Sequence, residues 1–556
     1  MGCAIFFSPD AVSSVIAKAV GQSAPSTMIA SSLAPSVAED PDNSPVENVL
    51  NKSLSGKGPL PYRGEMVKPA ESNVSQHSEL KRSITARQLY FYVVGDVLGS
   101  GIYVLVGLVA AAVGGAFWMA FLVGVAIATV TGLAYAELVT KYPQAAGASL
   151  YINKAFRSPV LTFFITICML SANMAAVGSL ASGFVRYFSG LIGLPEDAIW
   201  ASTIIALVFI TLITIVNLIG ITESVVANVI MTFIEITGLV IVVIIGVIAL
   251  VEGVNDPAVL LQFSVDGGGG SPILAVLAGV SLAFFAMTGF ENAANVAEET
   301  INPSHAFPRA LIGGMMTAGI VYVLVSIAAA LAVPIDTLAG NTLLEVIRAD
   351  LFFIPAAVML VIFGIIAMIA ISNTALVTVV AQSRILFGMA RENIVPAVFA
   401  KVHPSRRSPY VALIFGAAVV GALLVIGAAI RTSQAGVPED EQLDIVDRLA
   451  TITVVFLLFI YALVIVACLR LRGKDETSDT YRANTVLLIL GIIGNLAVLI
   501  YTLIDDPDSL FWVAGLLAVG LVLYLFQNFF GKKKPRLSDI SGDEGAAAPP
   551  AGHKEP

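Results

Sequence analysis

A helix that crosses a bilayer needs roughly 20 consecutive apolar residues, and this sequence supplies such runs one after another. Twelve meet that length, at 87–113, 116–140, 159–187, 199–219, 225–251, 272–296, 308–333, 353–380, 409–430, 447–469, 483–503 and 510–530. The chain is 57% hydrophobic and 12% charged, with the charges held in short islands between the runs. Soluble domains carry about 25% charged residues. The expected fold is therefore an all-α polytopic membrane protein of twelve transmembrane helices. Connections as short as Gly114-Gly115 make neighbouring helices tight antiparallel hairpins.

Lysine and arginine collect in the loops on the inner face of a membrane. With the N-terminus inside, the inner islands hold Lys81, Arg82, Lys141, Lys154, Arg157, Arg309, Arg384, Arg391, Lys401, Arg406, Arg407, Arg470, Arg472, Lys474 and Arg482, then the KKKPR cluster at 532–536. The outer islands hold only Arg186, Arg348, Arg431 and Arg448, beside acid-rich stretches such as VPEDEQLDIVD (437–447). A multi-pass protein of the plasma membrane with both termini in the cytoplasm is expected. Residues 1–84 are rich in Ser, Pro, Asn and acids and read as a disordered cytoplasmic tail. Their opening MGCAIFF lacks a signal-peptide cleavage pattern and carries Phe6 where a myristoylation motif needs Ser or Thr, so of the anchoring readings only a lipidated Cys3 stays open. Residues 532–556 read as a second solvated tail.

Several function classes fall away. The three cysteines, Cys3, Cys168 and Cys468, are too scattered for a disulfide framework or a zinc site. Histidines occur only in tails and loops, and no basic stripe invites nucleic acid. Gly99-Ser100-Gly101 has no preceding strand, and DGGGGS (266–271) has no lysine, so neither is a nucleotide loop. No activated nucleophile is apparent. A non-enzyme without cofactor or metal is expected.

Two runs are chemically out of place. GDVLGSGIYVLVG (95–107) puts four glycines and Asp96 inside span one, and VSLAFFAMTGFENAANVAEET (280–300) puts Thr288, Gly289 and Glu291 inside span six. An acid at a helix centre costs about 2.5–3.5 kcal/mol to insert. Gly95 and Gly99 alone also suit a close helix seam. Glycine lets a helix unwind, and the peptide groups thus freed are tolerated only around a cavity or ligand. Interruptions at matching positions of two five-helix halves point to a transporter binding site between them.

Three pieces carry a family resemblance: GDVLGSGIY (95–103), FFAMTGFENAANVAEETINPSHAFPRAL (284–311) and AQSRILFGMARENIVPAVFAKVHPSRRSPYVAL (381–413). Over roughly residues 85–470 the chain resembles the amino acid–polyamine–organocation transporters, the amino acid permeases. The resemblance implies a LeuT-like five-plus-five inverted repeat, with halves at 85–252 and 253–470 and two further helices in 471–531. It implies secondary active amino acid transport by alternating access, as proton-coupled symport or exchange. A polyamine or cationic amino acid antiporter and a non-transporting amino acid sensor are the alternatives.

The implied substrate carboxylate falls on Ser100, Gly101 and the Ile102 amide. The ammonium falls on carbonyls near Phe285, Ala286 and Thr288, with Met287, Gly289 and Phe290 beside them and Phe285 as a gating aromatic. Asn173 of span three matches a polar pocket residue. Glu291 matches an acid tied to gating or proton coupling, and Asp96 stands close to the same place. Glu235 of span five lies about where some proton-coupled relatives carry a lysine. Ser372, Asn373 and Thr374 of span eight would complete a cation site with it. An amino acid, a proton or other coupling ion, and lipid are the expected partners.

Overall fold

A computed structural model of the chain describes residues 80–195, 197–264, 271–434, 445–476, 478–507 and six positions between 510 and 518. The side chains of Ser100, Val104 and residues 445–451 lie outside that set, as do the N-terminal tail, the C-terminal tail and most of the expected twelfth span. Among the described residues the chain forms helices and one isolated parallel bridge, between Ile84 and Thr300. Ten of these helices are long and apolar enough to cross a membrane, and a bent pair over Ala86–Val113 makes an eleventh.

The spans start where the sequence offers caps. Span one, Ala86–Val113, opens on a capping box between Thr85 and Gln88. Span three, Pro159–Ile192, opens on Ser158 followed by Pro159, and span seven, Pro303–Ala332, also begins with proline. Spans two, four and five are Trp118–Lys141, Ile199–Ile219 and Ile221–Glu252. Span eight, Ala356–Arg391, runs eleven residues past its expected end at 380. Its cytoplasm-like sequence stays helical because Arg384 is buried in an ion pair with Glu299 rather than solvated. Spans nine to eleven are Tyr410–Ser433, Ile445–Arg470 and Thr485–Asp505. An unanticipated short helix, Gly147–Phe156, joins spans two and three, too short to register as a run yet buried through Leu150, Tyr151 and Ile152.

Burial separates core from rim. Spans three and ten have 67% and 78% of their apolar windows buried, against 22% for span nine, so nine lies at the lipid edge. Span four shows how one helix serves both surroundings. Ile204, Val208, Leu212 and Ile215 form an outward ridge, 60%, 53%, 57% and 47% exposed, whereas Thr203, Phe209, Ile210 and Asn217 face inward. Such a ridge would be a liability in water and is what lipid requires. Span one lies at the centre, packed against spans five, six, seven and eight.

One end of the bundle is tied down around the exit of span six. The amides of Ser83 and Ile84 both donate to the Glu299 carbonyl, at 2.9 and 3.0 Å, and the Ile301 amide returns a bond to Ile84 at 2.8 Å. Arg384 Nη2 reaches Glu299 Oε1 at 3.0 Å and its Nε reaches Oε2 at 3.3 Å, both side chains being buried. Arg391 Nη1 contacts Glu298 at 2.9 Å. Removing one partner of a buried pair strands the other charge, at a cost of about 3–5 kcal/mol. Glu299→Gln should therefore lower the thermal unfolding midpoint of the detergent-solubilised protein sharply, and combining Glu299→Met with Arg384→Met should restore most of the loss. A Glu299→Gln midpoint equal to wild type would refute the buried-pair account.

Candidate functional site

Both glycine-marked spans lose helical geometry in mid-course. In span one Gly99 has φ −20° and ψ −145°, and the axes of Ala86–Tyr103 and Leu105–Val113 differ by 63°. Span six runs as a helix over Pro272–Met287, turns extended at Thr288 and left-handed at Gly289 (φ 120°), and resumes only for Asn292–Asn295. Glycine is required at 289 twice over: few other residues hold that φ, and a Cβ there would lie 2.9 Å from Asp96 Cγ. Gly101 lets the two spans touch at backbone level, since a Cβ on it would come within 2.5 Å of Ala286 Cα.

The freed peptide groups find partners inside the protein. The Tyr322 hydroxyl of span seven sits between the carbonyls of Val97 and Ala286, one from each broken span, and is 3.1 Å from the latter. Thr288 Oγ1 donates to the Phe285 carbonyl at 2.7 Å. The Gly289 amide donates to Glu291 Oε2 at 2.9 Å, and Asn292 Nδ2 donates to Asp96 Oδ2 at 3.0 Å. Each of the two acids thus holds a segment created by the span-six break.

Between the breaks lies a cavity of about 40 Å³, room for roughly two or three waters. Span one lines it with Asp96, Val97 and Gly101, and span six with Phe285, Ala286, Thr288 and Gly289, then Glu291 and Asn292. Ala172, Asn173, Ala176 and Leu180 come from span three, Thr374 and Thr378 from span eight, and Thr453 and Leu457 from span ten. Three buried polar atoms of this wall have no protein partner: Asp96 Oδ1, Asn173 Nδ2 and Asn292 Oδ1. Buried polar groups left bare in this way call for a ligand or water.

Not every expected residue is on that wall. The Ile102 side chain is buried away from it, Met287 approaches Gly124 of span two, and the Phe290 ring meets Tyr135 edge-on and Tyr461 at a tilt, with ring centroids 5.7 and 5.1 Å away. Glu235 belongs to a second, neighbouring polar cluster. Its Oε2 is 3.4 Å from Asn373 Nδ2, which also contacts Thr232 Oγ1 at 3.1 Å and the Gly95 carbonyl at 3.3 Å. Asn228 Nδ2 donates to Asn373 Oδ1 at 2.8 Å, and Glu235 Oε1 has no partner. Of the candidate cation residues, Asn373 joins Glu235, Thr374 lines the central cavity, and Ser372 donates back to the Met368 carbonyl at 2.7 Å. Among the described residues no cluster of three metal-ligating side chains occurs.

Comparison with known proteins decides the lineage. The amino acid permease family model matches residues 84–539, which contain both broken spans. The chain belongs to the amino acid permease family. Among similar proteins, a branched-chain amino acid permease of Bacillus subtilis is 29% identical over 372 residues, 64% of this chain and 77% of that protein. A methylthioribose transporter of the same organism is 27% identical, covering 62% of this chain and 75% of its own. The chloroplastic cationic amino acid transporter 9 of Arabidopsis thaliana is 26% identical, with 62% of each chain covered.

Tyr322 escaped the sequence reading, as did Asn292, Thr378, Thr453 and the alanines of span three. A signal existed for Tyr322 alone, because a phenol in an apolar run needs a partner for its hydroxyl. Tyr322→Phe keeps the ring and removes the donor shared by two carbonyls. An unsatisfied buried group costs about 1–3 kcal/mol. The variant should lose stability of that order and so unfold at a lower temperature, and an unchanged midpoint would show that Tyr322 does not support the breaks.

Proposed function

We propose that this permease is a secondary active amino acid transporter of the plasma membrane, with both termini cytoplasmic, working by alternating access. The observation that carries the reading is the cavity bounded by two interrupted spans, with polar atoms left bare inside it. A zwitterion suits it, because helix breaks present peptide dipoles to a carboxylate while carbonyls and acids face an ammonium. Ser100, Gly101 and the Ile102 amide take the carboxylate, and Phe285, Ala286 and Thr288 take the amine, with Asn173 beside them and Phe285 as the closing aromatic. The cavity expands to admit the substrate.

A five-plus-five inverted repeat, 85–252 and 253–470, followed by spans eleven and twelve, is the architecture we favour. Contacts between spans one and six, two and seven, three and eight, and four and nine support it, each pairing a helix with its counterpart five places on. We assign coupling to protons, with Glu291 as the gating carboxylate at the span-six break. The Glu235–Asn373 cluster is a second site for a proton or cation at the back of span one. A second reading has its own support: Asp96 keeps an unpartnered oxygen in a wall without lysine or arginine, which favours a cationic amino acid.

Purified protein in liposomes should accumulate labelled leucine or lysine when the outside is acidified, and unlabelled competitors should rank the two substrates. Glu291→Gln should cut proton-driven uptake roughly tenfold or more, the scale of an ordinary coupling free energy between sites. A variant with wild-type rate and pH profile would remove Glu291 from coupling. Saturable binding with no flux would identify an amino acid sensor instead.

A further inference from the structure

A second hollow lies at the same end of the bundle as the backbone bonds from Ser83 and Ile84 to Glu299. It is an open groove of about 510 Å³ between the first turns of spans one and seven. Arg87, His305 and Arg309 rim it, and no acid lines it. All three are exposed, and among the described residues no side-chain hydrogen bond or ion pair engages them. Ala306, Ala310 and Tyr90 line the groove as well, and the Tyr90 hydroxyl is bonded to Thr317 Oγ1 at 2.8 Å, which pins span one to span seven beside it. Two arginines held on separate helices around one hollow form a receptor for an anion with several acceptor oxygens, the pairing that guanidinium groups make best with phosphate.

The surface beyond the groove says what carries that phosphate. From Arg309 the same face of span seven continues through Gly313, Met316, Ile320 and Leu324, spaced by three or four residues. Met316, Ile320 and Leu324 are 48%, 57% and 47% exposed, forming an apolar track that leads from the cationic rim toward the middle of the bilayer. A free phosphate has no use for such a track. A phospholipid fits both parts, its headgroup at the arginines and an acyl chain along the ridge. Basic pockets between helices at the inner membrane face are suited to anionic headgroups.

We infer that the Arg87–Arg309 groove binds one anionic phospholipid in the leaflet on the N-terminal side. The lipid clamps the first turn of span one to span seven. The site is separate from the central cavity, so it stands or falls independently of the substrate reading.

The test uses the full chain, purified in a neutral detergent and delipidated, with its thermal midpoint followed as lipid is added. Dioleoyl phosphatidylglycerol should raise the midpoint saturably, and dioleoyl phosphatidylcholine and inorganic phosphate at matched concentration should not. Arg87→Gln with Arg309→Gln should weaken the apparent phosphatidylglycerol affinity by roughly tenfold to thirtyfold, as expected for losing two surface cations. The Arg87→Lys, Arg309→Lys pair should retain most of it. If the double glutamine variant does not yield folded protein, each single glutamine variant should show its share of the loss. An equal shift with phosphatidylcholine, an undiminished shift in the glutamine variants, or a shift reproduced by inorganic phosphate would each overturn the inference.

Discussion

A peptide N–H or C=O that leaves its helix inside hydrocarbon has no water to replace the lost partner, at a cost of roughly several kcal/mol per group. That constraint organises the centre of this protein. Spans one and six give up helical geometry at Gly99 and over Thr288–Gly289, and the surroundings are arranged to absorb the consequence. Tyr322 serves a carbonyl from each break, Thr288 closes back on Phe285, and Glu291 takes the Gly289 amide. Among the side chains around the cavity, Asp96, Asn173 and Asn292 each keep a polar atom without a protein partner. The breaks are held by the protein's own groups, while these three side-chain atoms stay open.

The two acids that looked most anomalous thus have a structural task before any functional one. Asp96 binds Asn292 across the interface between the two broken spans, and its other oxygen stays bare. Glu291 caps the turn that Gly289 makes possible. A group that both shapes the break and can change its charge is well placed to link protonation to geometry, because losing the carboxylate's negative charge weakens the bond it accepts. Glu235 differs. It sits among amides and a hydroxyl from spans five and eight, against the Gly95 carbonyl, so it senses the back of span one rather than the cavity.

The large-scale reading was legible because it rests on a strong physical signal: apolar runs long enough to span a bilayer, interrupted by glycine beside an acid. Span ends were less so. Span eight continues to Arg391 because Glu299, eighty-five residues distant in the chain, neutralises Arg384, and nothing near Arg384 announces that partner. Within the site, most wall residues drawn from the two breaks were visible, since glycine and acid mark them, but Val97 and Asn292 were not. Ala172, Ala176 and Leu180 were not, because an alanine facing a cavity and an alanine facing a helix are the same letter. Phe290 and Met287 adjoin the motif in sequence, but the turn at Gly289 sends Phe290 to an aromatic cluster with Tyr135 and Tyr461.

The two anchors around the span-six exit are unequal in kind. Span one is held to the exit of span six by three neutral backbone bonds through Ser83, Ile84 and Ile301. Exchanging each for water costs only about 0.5–1.5 kcal/mol. The same exit is held to span eight by the buried Glu299–Arg384 pair, whose rupture with either charge still buried costs about 3–5 kcal/mol. Bond for bond, the tie between span one and the span-six exit is the weaker of the two, and water can take it over.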